Sequence, residues 1–167
     1  MSRKYNIGFW NYIKSSTSSA SIAIEENLKS LPSIEVTEID GLIASQLKGI
    51  DLIVVDAIEL DIEDPLAWIE KLFSKIIYNN GIPIPCLIIN KAHNLDLAID
   101  IFEHIQLNWY YDFTHPSHLG SLSIRIANLI KIHDHLHELS RYEKELTSLQ
   151  KQTDQLQQSL TKLIEEN

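Results

Sequence analysis

The chain has 167 residues, of which 44% are hydrophobic and 22% are charged, so it can form a domain with a hydrophobic core and has an ordinary globular composition. Its formal charge of -9 argues against a nucleic-acid-binding protein, because phosphate binding needs a clustered excess of lysine and arginine. The single cysteine, Cys86, cannot form an intramolecular disulfide and lies in an apolar run that predicts a core position. No segment reaches the roughly 20 apolar residues of a membrane span, and the N-terminal sequence lacks an apolar signal core, so we expect a cytoplasmic protein.

The sequence alternates patterns typical of strands with patterns typical of helices. The strand patterns are short runs rich in β-branched, aromatic and other apolar residues, bounded by turn residues. The helix patterns repeat apolar residues at three- and four-residue spacing after capping residues such as the serines at 15–19. The predicted strands are residues 5–10, 34–39, 50–56, 86–90 and 109–113. The predicted helices run from the serines to about Leu31, over Leu42–Leu47, over 65–78, over 95–107 and onward from about Leu119.

The central predicted strand determines the fold class. It contains four consecutive apolar residues between Asp51 and Asp56, as is typical of a strand buried on both faces of a parallel sheet. Parallel neighbours need crossover connections, so five strands alternating with helices predict an α/β fold. We expect a doubly wound five-stranded parallel sheet with helices on both faces. Asp56 would lie at the carboxyl end of its strand, where open α/β sheets place their chemistry.

The last helix pattern has two parts. After Gly120 the sequence contains neither proline nor glycine, which allows one helix of up to about 45 residues and roughly 70 Å. The first part carries an apolar stripe suited to packing on the sheet, formed by Leu122, Ile126, Leu129 and Ile130. The second part repeats apolar residues every seven positions, which predicts a coiled coil. This heptad seam consists of Ile132, Leu139, Leu146, Thr153 and Leu160, and of Tyr142, Leu149, Leu156 and Leu163 three residues after the last four of these.

A seam of this length needs a second helix to cover it. A second copy of the same chain is the simplest partner, so the sequence predicts a parallel homodimer with residues 1–130 as the sheet domain and 131–167 as the coiled coil. In that register Glu138 faces Glu143 of the second copy, which costs roughly a few tenths of a kcal/mol. Thr153 also weakens the core of the seam. We therefore expect a dimer of modest stability.

Three features of residues 4–130 occur together. They are the order of strands and helices, the segment Asp51-Leu52-Ile53-Val54-Val55-Asp56, and His115-Pro116 after the fifth predicted strand. In this combination the chain resembles the receiver domains of response regulators in two-component systems. The resemblance implies a flavodoxin-like fold and a role in signal transduction, with Asp56 at the position of the family's phosphoacceptor aspartate.

Several positions depart from the pattern of that family. Receivers end their first strand with an acidic pair that holds Mg²⁺, whereas this chain has Asn11 and Tyr12. The expected hydroxyl residue after the fourth strand is Asn90, and the lysine expected before Pro116 is His115. An amide and a phenol are poor ligands for Mg²⁺, and a neutral histidine is a weaker phosphate partner than lysine. The resemblance therefore implies a pseudo-receiver that is not an enzyme and uses no metal or cofactor.

Alternatives remain open at Asp56 and for the whole chain. Asp56 is predicted to cap the following loop, to accept phosphate as in a genuine receiver, or to contact another ligand or protein partner. A plain oligomerisation adaptor would be favoured if side chains such as Tyr12 closed the sheet edge near Asp56. Because the heptads continue to the end of the sequence, we expect a longer natural protein with an output domain, such as a cyclic-dinucleotide enzyme or a kinase, as is common in receiver proteins.

The histidines of the last helix allow two further hypotheses. His133 and His137 have the four-residue spacing of a two-histidine metal clamp, but no third ligand is evident nearby, which favours a solvated helix face. His135 falls on the seam, so its protonation at mildly acidic pH is expected to loosen the dimer. His137-Glu138-Leu139 also resembles the phosphoacceptor helix of sensor histidine kinases, although the proline that usually follows is missing.

Overall fold

The computed structural model describes residues 3–13, 18–73, 78–79, 82–104 and 111–166. Five strands form one parallel sheet in the order β2-β1-β3-β6-β7. They are β1 (Tyr5–Asn11), β2 (Ile34–Glu38), β3 (Leu52–Asp56), β6 (Cys86–Ile89) and β7 (Tyr111–Thr114). Two short strands, β4 (Tyr78–Asn79) and β5 (Ile82–Pro83), pair with each other in antiparallel orientation.

The helices lie on both faces of this sheet. They are α1 (Ser19–Ser30), α2 (Pro65–Phe73), α3 (Leu95–His104) and α4 (Leu122–Glu165), and a 3₁₀ helix (Pro116–Ser121) directly precedes α4. The strand order is that of flavodoxin-like doubly wound proteins. The predicted α/β fold with a five-stranded parallel sheet and an extended last helix is therefore confirmed.

The hydrophobic core consists of one cluster on each face of the sheet. All five residues of β3 are buried, because this strand lies between β1 and β6 and is covered on both sides. One cluster joins Ile53 and Val55 to α2. The other joins Leu52 and Val54 to α1 and α4. Alternate residues of a strand point to opposite faces, so membership of a cluster identifies the face on which a side chain lies.

Polar side chains fix the helix starts that the sequence predicts. Ser18 caps α1, since its hydroxyl accepts a hydrogen bond from the Ser21 amide at 3.1 Å. Asp64 does the same for α2, accepting from the Ala67 amide at 3.0 Å. These capping signals are strong because one side-chain oxygen satisfies an amide that the helix leaves unpaired.

Cys86 is fully buried, as predicted, and burial raises the pKa of its thiol.

The helix predicted over Leu42–Leu47 is wrong. Residues 40–50, all of which the structure describes, form turns in which the Gln46 and Leu47 amides both donate to the carbonyl of Ile43. Leu47 and Ile50 are buried in the core without helix formation. A helix this short forms few hydrogen bonds, which do not offset the conformational entropy lost in fixing its first turn. The chain then leaves the segment through Gly49, whose φ is positive at 79°.

Three predicted boundaries also differ or lie outside the described residues. The helix predicted over 65–78 is wrong at its end, because Tyr78 belongs to β4. The predicted strand 109–113 begins at Tyr111 in the described part of the chain, and Trp109 and Tyr110 lie outside it. Helix α3 is described to His104, so the end predicted at about 107 also lies outside it.

The chain divides into two compact units, residues 1–133 and 134–167. In the first unit α4 buries the predicted stripe of Leu122, Ile126 and Leu129 against the sheet, with Ile130 and Ile132 partly buried beside them. In the second unit the seam side chains of the helix are exposed. Among the described residues, no helix has the combination of length and apolar character that crossing a membrane requires.

Candidate functional site

Asp56 lies at the carboxyl end of β3, opposite Asn11 of β1 and Ile89 of β6. Its side chain is almost completely buried, with 3% of the residue exposed. One carboxyl oxygen, Oδ1, accepts from the Ile58 amide at 3.2 Å, as expected of a residue that caps the following loop. The other, Oδ2, is buried and has no hydrogen-bond partner in the described part of the chain. A buried acceptor left unpaired costs about 1–3 kcal/mol. Capping of the loop therefore explains the position of Oδ1 but not the burial of Oδ2.

The two residues at the end of β1 lie on different sides of the sheet edge. Asn11 follows Ile7 and Phe9, which belong to the same core cluster as Val54, so Asn11 and Asp56 share a face. Tyr12 instead packs in the cluster on the opposite face. The structure therefore brings Asn11 next to Asp56 but directs the Tyr12 ring away from it.

An aromatic cluster holds Tyr12 in that position. The ring centroid of Tyr12 is 4.9 Å from that of Trp10 and 5.5 Å from that of Trp68 in α2, the latter in an edge-to-face arrangement. All three side chains are half-buried against the core. Tyr12 thus anchors the end of β1 to the start of α2.

The residues at this edge do not fit a magnesium site. Mg²⁺ prefers carboxylate oxygens, yet Asp56 is the only acid among the three residues at the positions where receivers hold the ion. The described residues contain no group of three His, Cys, Asp or Glu side chains placed to hold a metal ion.

Asn90 has a structural role that the sequence did not reveal. It follows β6, is fully buried, and donates through Nδ2 to the carbonyls of Ala57 at 2.5 Å and Leu60 at 3.0 Å. Its Oδ1 accepts from the Ala92 amide at 2.7 Å. Both amide hydrogens are in use, so Asn90 has no donor left for a phosphate. It joins the loop after β3 to the loop after β6.

A cavity of about 390 Å³ lies between these two loops and is lined in part by Asn90. Its rim carries an ion pair between Lys91 and Glu59 at 3.3 Å, with both side chains substantially exposed. Asp61 lines the same cavity. Lys91 is the lysine nearest to Asn90 in sequence, and it is paired with the carboxylate of Glu59 in the opposite loop.

His115 and Pro116 form the start of the 3₁₀ helix. His115 Nδ1 accepts from the Ser117 amide at 3.1 Å and lies 2.8 Å from the Ser117 hydroxyl. Pro116 occupies the first helical position, where its missing N–H costs nothing. His115 therefore acts as a helix cap, and a neutral ring nitrogen is required for that acceptor role.

Two further histidines lie near His115. The ring centroid of His118 is 6.2 Å from that of His115 and 6.3 Å from that of His93, which packs edge-to-face on Phe113. Burial lowers the pKa of His93, and the nearby His118 and Arg125 lower it further. Asp112 acts in the opposite direction, and the net result is a lowered pKa of His93.

Thr114 is a site residue that the sequence analysis missed. Its hydroxyl is buried and, like Asp56 Oδ2, has no hydrogen-bond partner among the described residues. The register places Asp56, Ile89 and Thr114 in one row across β3, β6 and β7, so the three side chains share a face. The sequence signal that could have identified Thr114 is a hydroxyl residue at the end of a predicted strand. The edge therefore carries two unpaired polar atoms, separated by one isoleucine.

The seam forms a second candidate site, within the second unit. From Leu139 to Leu163 its leucines and Tyr142 are each more than half exposed. Thr153 is also exposed, and its hydroxyl donates to the Leu149 carbonyl at 3.0 Å, so it is already satisfied. His135 Nδ1 lies 3.6 Å from Glu138 Oε2, with both side chains exposed. Ile132 differs from the rest of the seam, since it packs partly on the core of the first unit.

The structure corrects the expectation that His133 lies on a solvated helix face. The side chain of His133 is 5% exposed, and its Nε2 lies 3.4 Å from Asp51 Oδ1. His137, one turn later, is exposed. The two histidines that the sequence pairs as a metal clamp therefore stand in different environments, and His133 faces Asp51, the residue directly before β3.

No protein-family model matches this sequence, and a search of curated proteins found no match either. The resemblance to receiver domains accordingly rests on the residues quoted above and stays a prediction. A flavodoxin-like fold supports many unrelated functions, so the fold alone does not decide between them.

Proposed function

We propose that this protein is a non-catalytic signal-transduction module: a pseudo-receiver that forms a parallel homodimer through its C-terminal coiled coil and relays or scaffolds signals to an output domain or protein partner. The observation that carries the proposal is the exposed heptad seam on α4. The early turns of the same helix belong to the core of the sheet domain. A soluble monomer rarely leaves such a regular apolar stripe uncovered.

The surroundings of Asp56 support the pseudo-receiver half of the proposal. Phosphoryl transfer to a carboxylate depends on neutralising the charge that develops on the phosphoryl oxygens. At the carboxyl edge of the sheet, Asn90 is committed to two backbone carbonyls and His115 to a helix cap. Asp56 itself is buried, which hinders approach of a phosphodonor.

A direct link between the sheet edge and α4 supports the relay. Arg125 in α4 forms a two-oxygen ion pair with Asp112 of β7, with Nη1 at 2.8 and 2.7 Å from Oδ1 and Oδ2. Its Nε also donates to Ser121 Oγ at 3.1 Å. Because Thr114 and Asp112 belong to the same short strand, a ligand or partner that repacks Thr114 would shift the strand to which α4 is fastened. The consequence for the second unit is a change in the register or rotation of the coil.

Dimerisation tests the seam directly. Leu149→Asn is expected to raise the dimer dissociation constant by roughly tenfold or more, because it places a polar group in each half of one core layer. Ile124→Asn is the matched control, since Ile124 is 64% exposed on the same helix outside the seam while Leu149 is 60% exposed. Analytical ultracentrifugation of the full chain measures both constants. A wild-type chain that stays monomeric at 100 μM, or equal effects of the two variants, would remove the dimer from the proposal.

Binding of a phosphoryl analogue tests the proposed role of the sheet domain. We expect no saturable change in the amide spectrum of the full chain when fluoroberyllate and Mg²⁺ are added together, and no mass increase at Asp56 after incubation with acetyl phosphate and Mg²⁺. Asp56→Asn is the control for effects elsewhere on the chain. An adduct that is present in the wild type and absent in Asp56→Asn would instead favour the genuine phosphoacceptor.

A plain oligomerisation adaptor is the second candidate, and the burial of Asp56 is the observation that favours it. The two functions differ in whether the sheet edge and the seam communicate. In a relay, Thr114→Val is expected to shift the dimer constant or the amide signals of the seam, because it alters the packing of β7. In an adaptor, the same variant leaves both unchanged while its own surroundings change.

A further inference from the structure

The amino end of the sheet carries a group of charged residues centred on Asp51, which directly precedes β3. The Oδ2 atom of Asp51 accepts from the Asn6 amide at 2.8 Å, which fixes the carboxylate beside β1. Its Oδ1 lies 3.1 Å from Nη2 of Arg3 and 3.4 Å from Nε2 of His133. One carboxylate therefore faces a permanent cation and an imidazole whose charge depends on pH.

His133 is the last buried position of α4 within the first unit. It continues the stripe of Leu122, Ile126 and Leu129, and each described residue of the helix from Asp134 onward is half-buried or exposed. An apolar residue would cover this position without a polar partner, whereas an imidazole needs one. The end of the packed part of α4 is thus held by the single position in the stripe that can change its charge near neutral pH.

The charged groups around His133 come from three parts of the chain. Asp51 faces it from the position directly before β3, and Arg3, whose side chain is about half exposed, approaches the same carboxyl oxygen from the segment before β1. Asp134 and His137 are its neighbours on α4 itself. Asp51 Oδ1 lies 3.4 Å from His133 Nε2, and a carboxylate within about 4–6 Å favours the charged form of a histidine. Arg3 opposes this effect, but it is partly solvated and weakens as a competitor for that reason.

We propose that His133 and Asp51 form a proton-dependent latch that holds the end of the packed part of α4 against the amino edge of the sheet. When His133 gains a proton, the contact becomes an ion pair inside a largely buried site and tightens. When it loses the proton, the contact weakens, while the packing of Ile132 and the stripe on the core does not change. Any effect on the coil rests on the proposed relay, whereas the latch itself involves only residues of the first unit.

Histidine titration in the full-length chain tests the latch. The Cε1–H signals of the histidines are followed by NMR from pH 5 to 8.5 in the wild type and in Asp51→Asn. Asparagine keeps an oxygen that can accept from the Asn6 amide, so the substitution removes mainly the charge. We expect the midpoint of His133 to be higher in the wild type than in the variant by about one pH unit or more, with exposed His135 unchanged. Equal midpoints, or a lower one in the wild type, would overturn the proposal.

Arg3→Gln provides a second variant that leaves the core intact. It removes the cation that competes for Asp51 Oδ1, so it is expected to raise the midpoint of His133 further. This outcome would support the latch even if Asp51→Asn failed to fold. A midpoint unchanged or lowered in Arg3→Gln would refute it.

Amide exchange measures the mechanical consequence. After correction for intrinsic rates, the amides of residues 129–137 are expected to be protected more strongly at pH 6 than at pH 8 in the wild type, and equally at both in His133→Gln. Equal protection in the wild type would contradict the latch. Dimer constants are measured separately, so a chain that fails to dimerise but shows the expected titration would reject the proposed relay and keep the latch.

Discussion

At the scale of single residues, the best-determined feature of the candidate site is Asn90, whose side chain donates two hydrogen bonds to the loop after β3 and accepts a third within its own loop. Asn90→Ala leaves the carbonyls of Ala57 and Leu60 without donors, so we expect a loss of about 2–4 kcal/mol in the free energy of unfolding. The control is Asn94→Ala. Asn94 caps α3 through one exposed hydrogen bond to the Leu97 amide, and its loss is expected to cost about 1 kcal/mol. Urea denaturation measures both, and equal losses would contradict the bridging role of Asn90.

The lowered pKa of His93 predicts a pH dependence of stability. Burial lowers the pKa of this histidine in the folded state, and the neighbouring His118 and Arg125 add to the effect. Below the ordinary value near 6.5, the unfolded chain therefore binds more protons at this position than the folded chain does. The contribution of His93 is complete above pH 6.5 and is lost as the pH falls through the lowered folded-state value. Urea denaturation at several pH values is expected to show that His93→Gln reduces the loss of stability between pH 7.5 and 5.5, and an unchanged slope would contradict this.

The latch at His133 is expected to act in the opposite direction on stability. Its partner carboxylate favours the protonated form in the folded state, so its contribution is present at low pH and fades as the pH rises. The pH-dependent contributions of the two histidines to the free energy of unfolding therefore partly cancel in a global unfolding experiment. This is the reason that site-resolved titration, rather than a melting curve, is the appropriate measurement for His133.

At the scale of elements, the ion pair between Arg125 and Asp112 fastens α4 to β7. Each side chain is less than a third exposed, and the two short contacts are charge-assisted. We expect Arg125→Met to lower the free energy of unfolding by about 1.5–3 kcal/mol. Lys91→Met removes the more exposed pair with Glu59 and is expected to cost at most about 1 kcal/mol. Similar losses in the two variants, measured by urea denaturation, would contradict a special role for the α4–β7 contact.

The elements that the sequence predicted well are those whose signals are local or repeated. Strand β3 is recognisable because burial on both faces demands an unbroken apolar run, and α4 because nothing interrupts its pattern for 44 residues. The helix predicted over Leu42–Leu47 failed because Leu47 and Ile50 satisfy the core equally well from a turn. The pairing of β4 with β5 was missed because strands of two residues carry no periodic pattern.

The candidate site was less predictable than the fold. The position of Asp56 at the end of a central strand follows from the apolar run before it. Asn11 is the last paired residue of β1, so strand alternation determines its face. Tyr12 lies beyond the pairing, and its position depends on ring contacts with Trp10 and Trp68 that the sequence did not predict. The contact between His133 and Asp51 joins residues far apart in sequence, so neither residue alone predicted it.

At the scale of the whole molecule, the sheet domain and the seam place different demands on α4. The first unit uses the helix to complete a core, where substitutions are limited by packing. The seam side chains in the second unit are exposed, so in the proposed dimer their packing depends on the second copy and on protein concentration. A module of this kind can change its oligomeric state without unfolding its sheet domain, which suits the relay proposed above.

Thr153 is the position at which the proposed dimer is most readily strengthened. It occupies a core position of the seam, and its hydroxyl is bonded to the Leu149 carbonyl, so replacing it with isoleucine removes no contact between chains. Thr153→Ile adds apolar surface to the core layer from both copies, at roughly 0.8 kcal/mol per buried methylene, and β-branched residues at this position favour parallel dimers. We expect the dimer dissociation constant to fall by about tenfold or more.

Thr147 is the matched control for that substitution. It is exposed on the same helix and makes the same type of bond, to the Glu143 carbonyl at 2.8 Å, but lies outside the seam. Thr147→Ile is therefore expected to leave the dimer constant unchanged, because its side chain faces solvent in the proposed dimer as well. Sedimentation equilibrium of the full chain compares the two. If both variants tightened the dimer equally, the gain would reflect general stickiness, and if neither did, the helices would pair through a face other than the heptad seam.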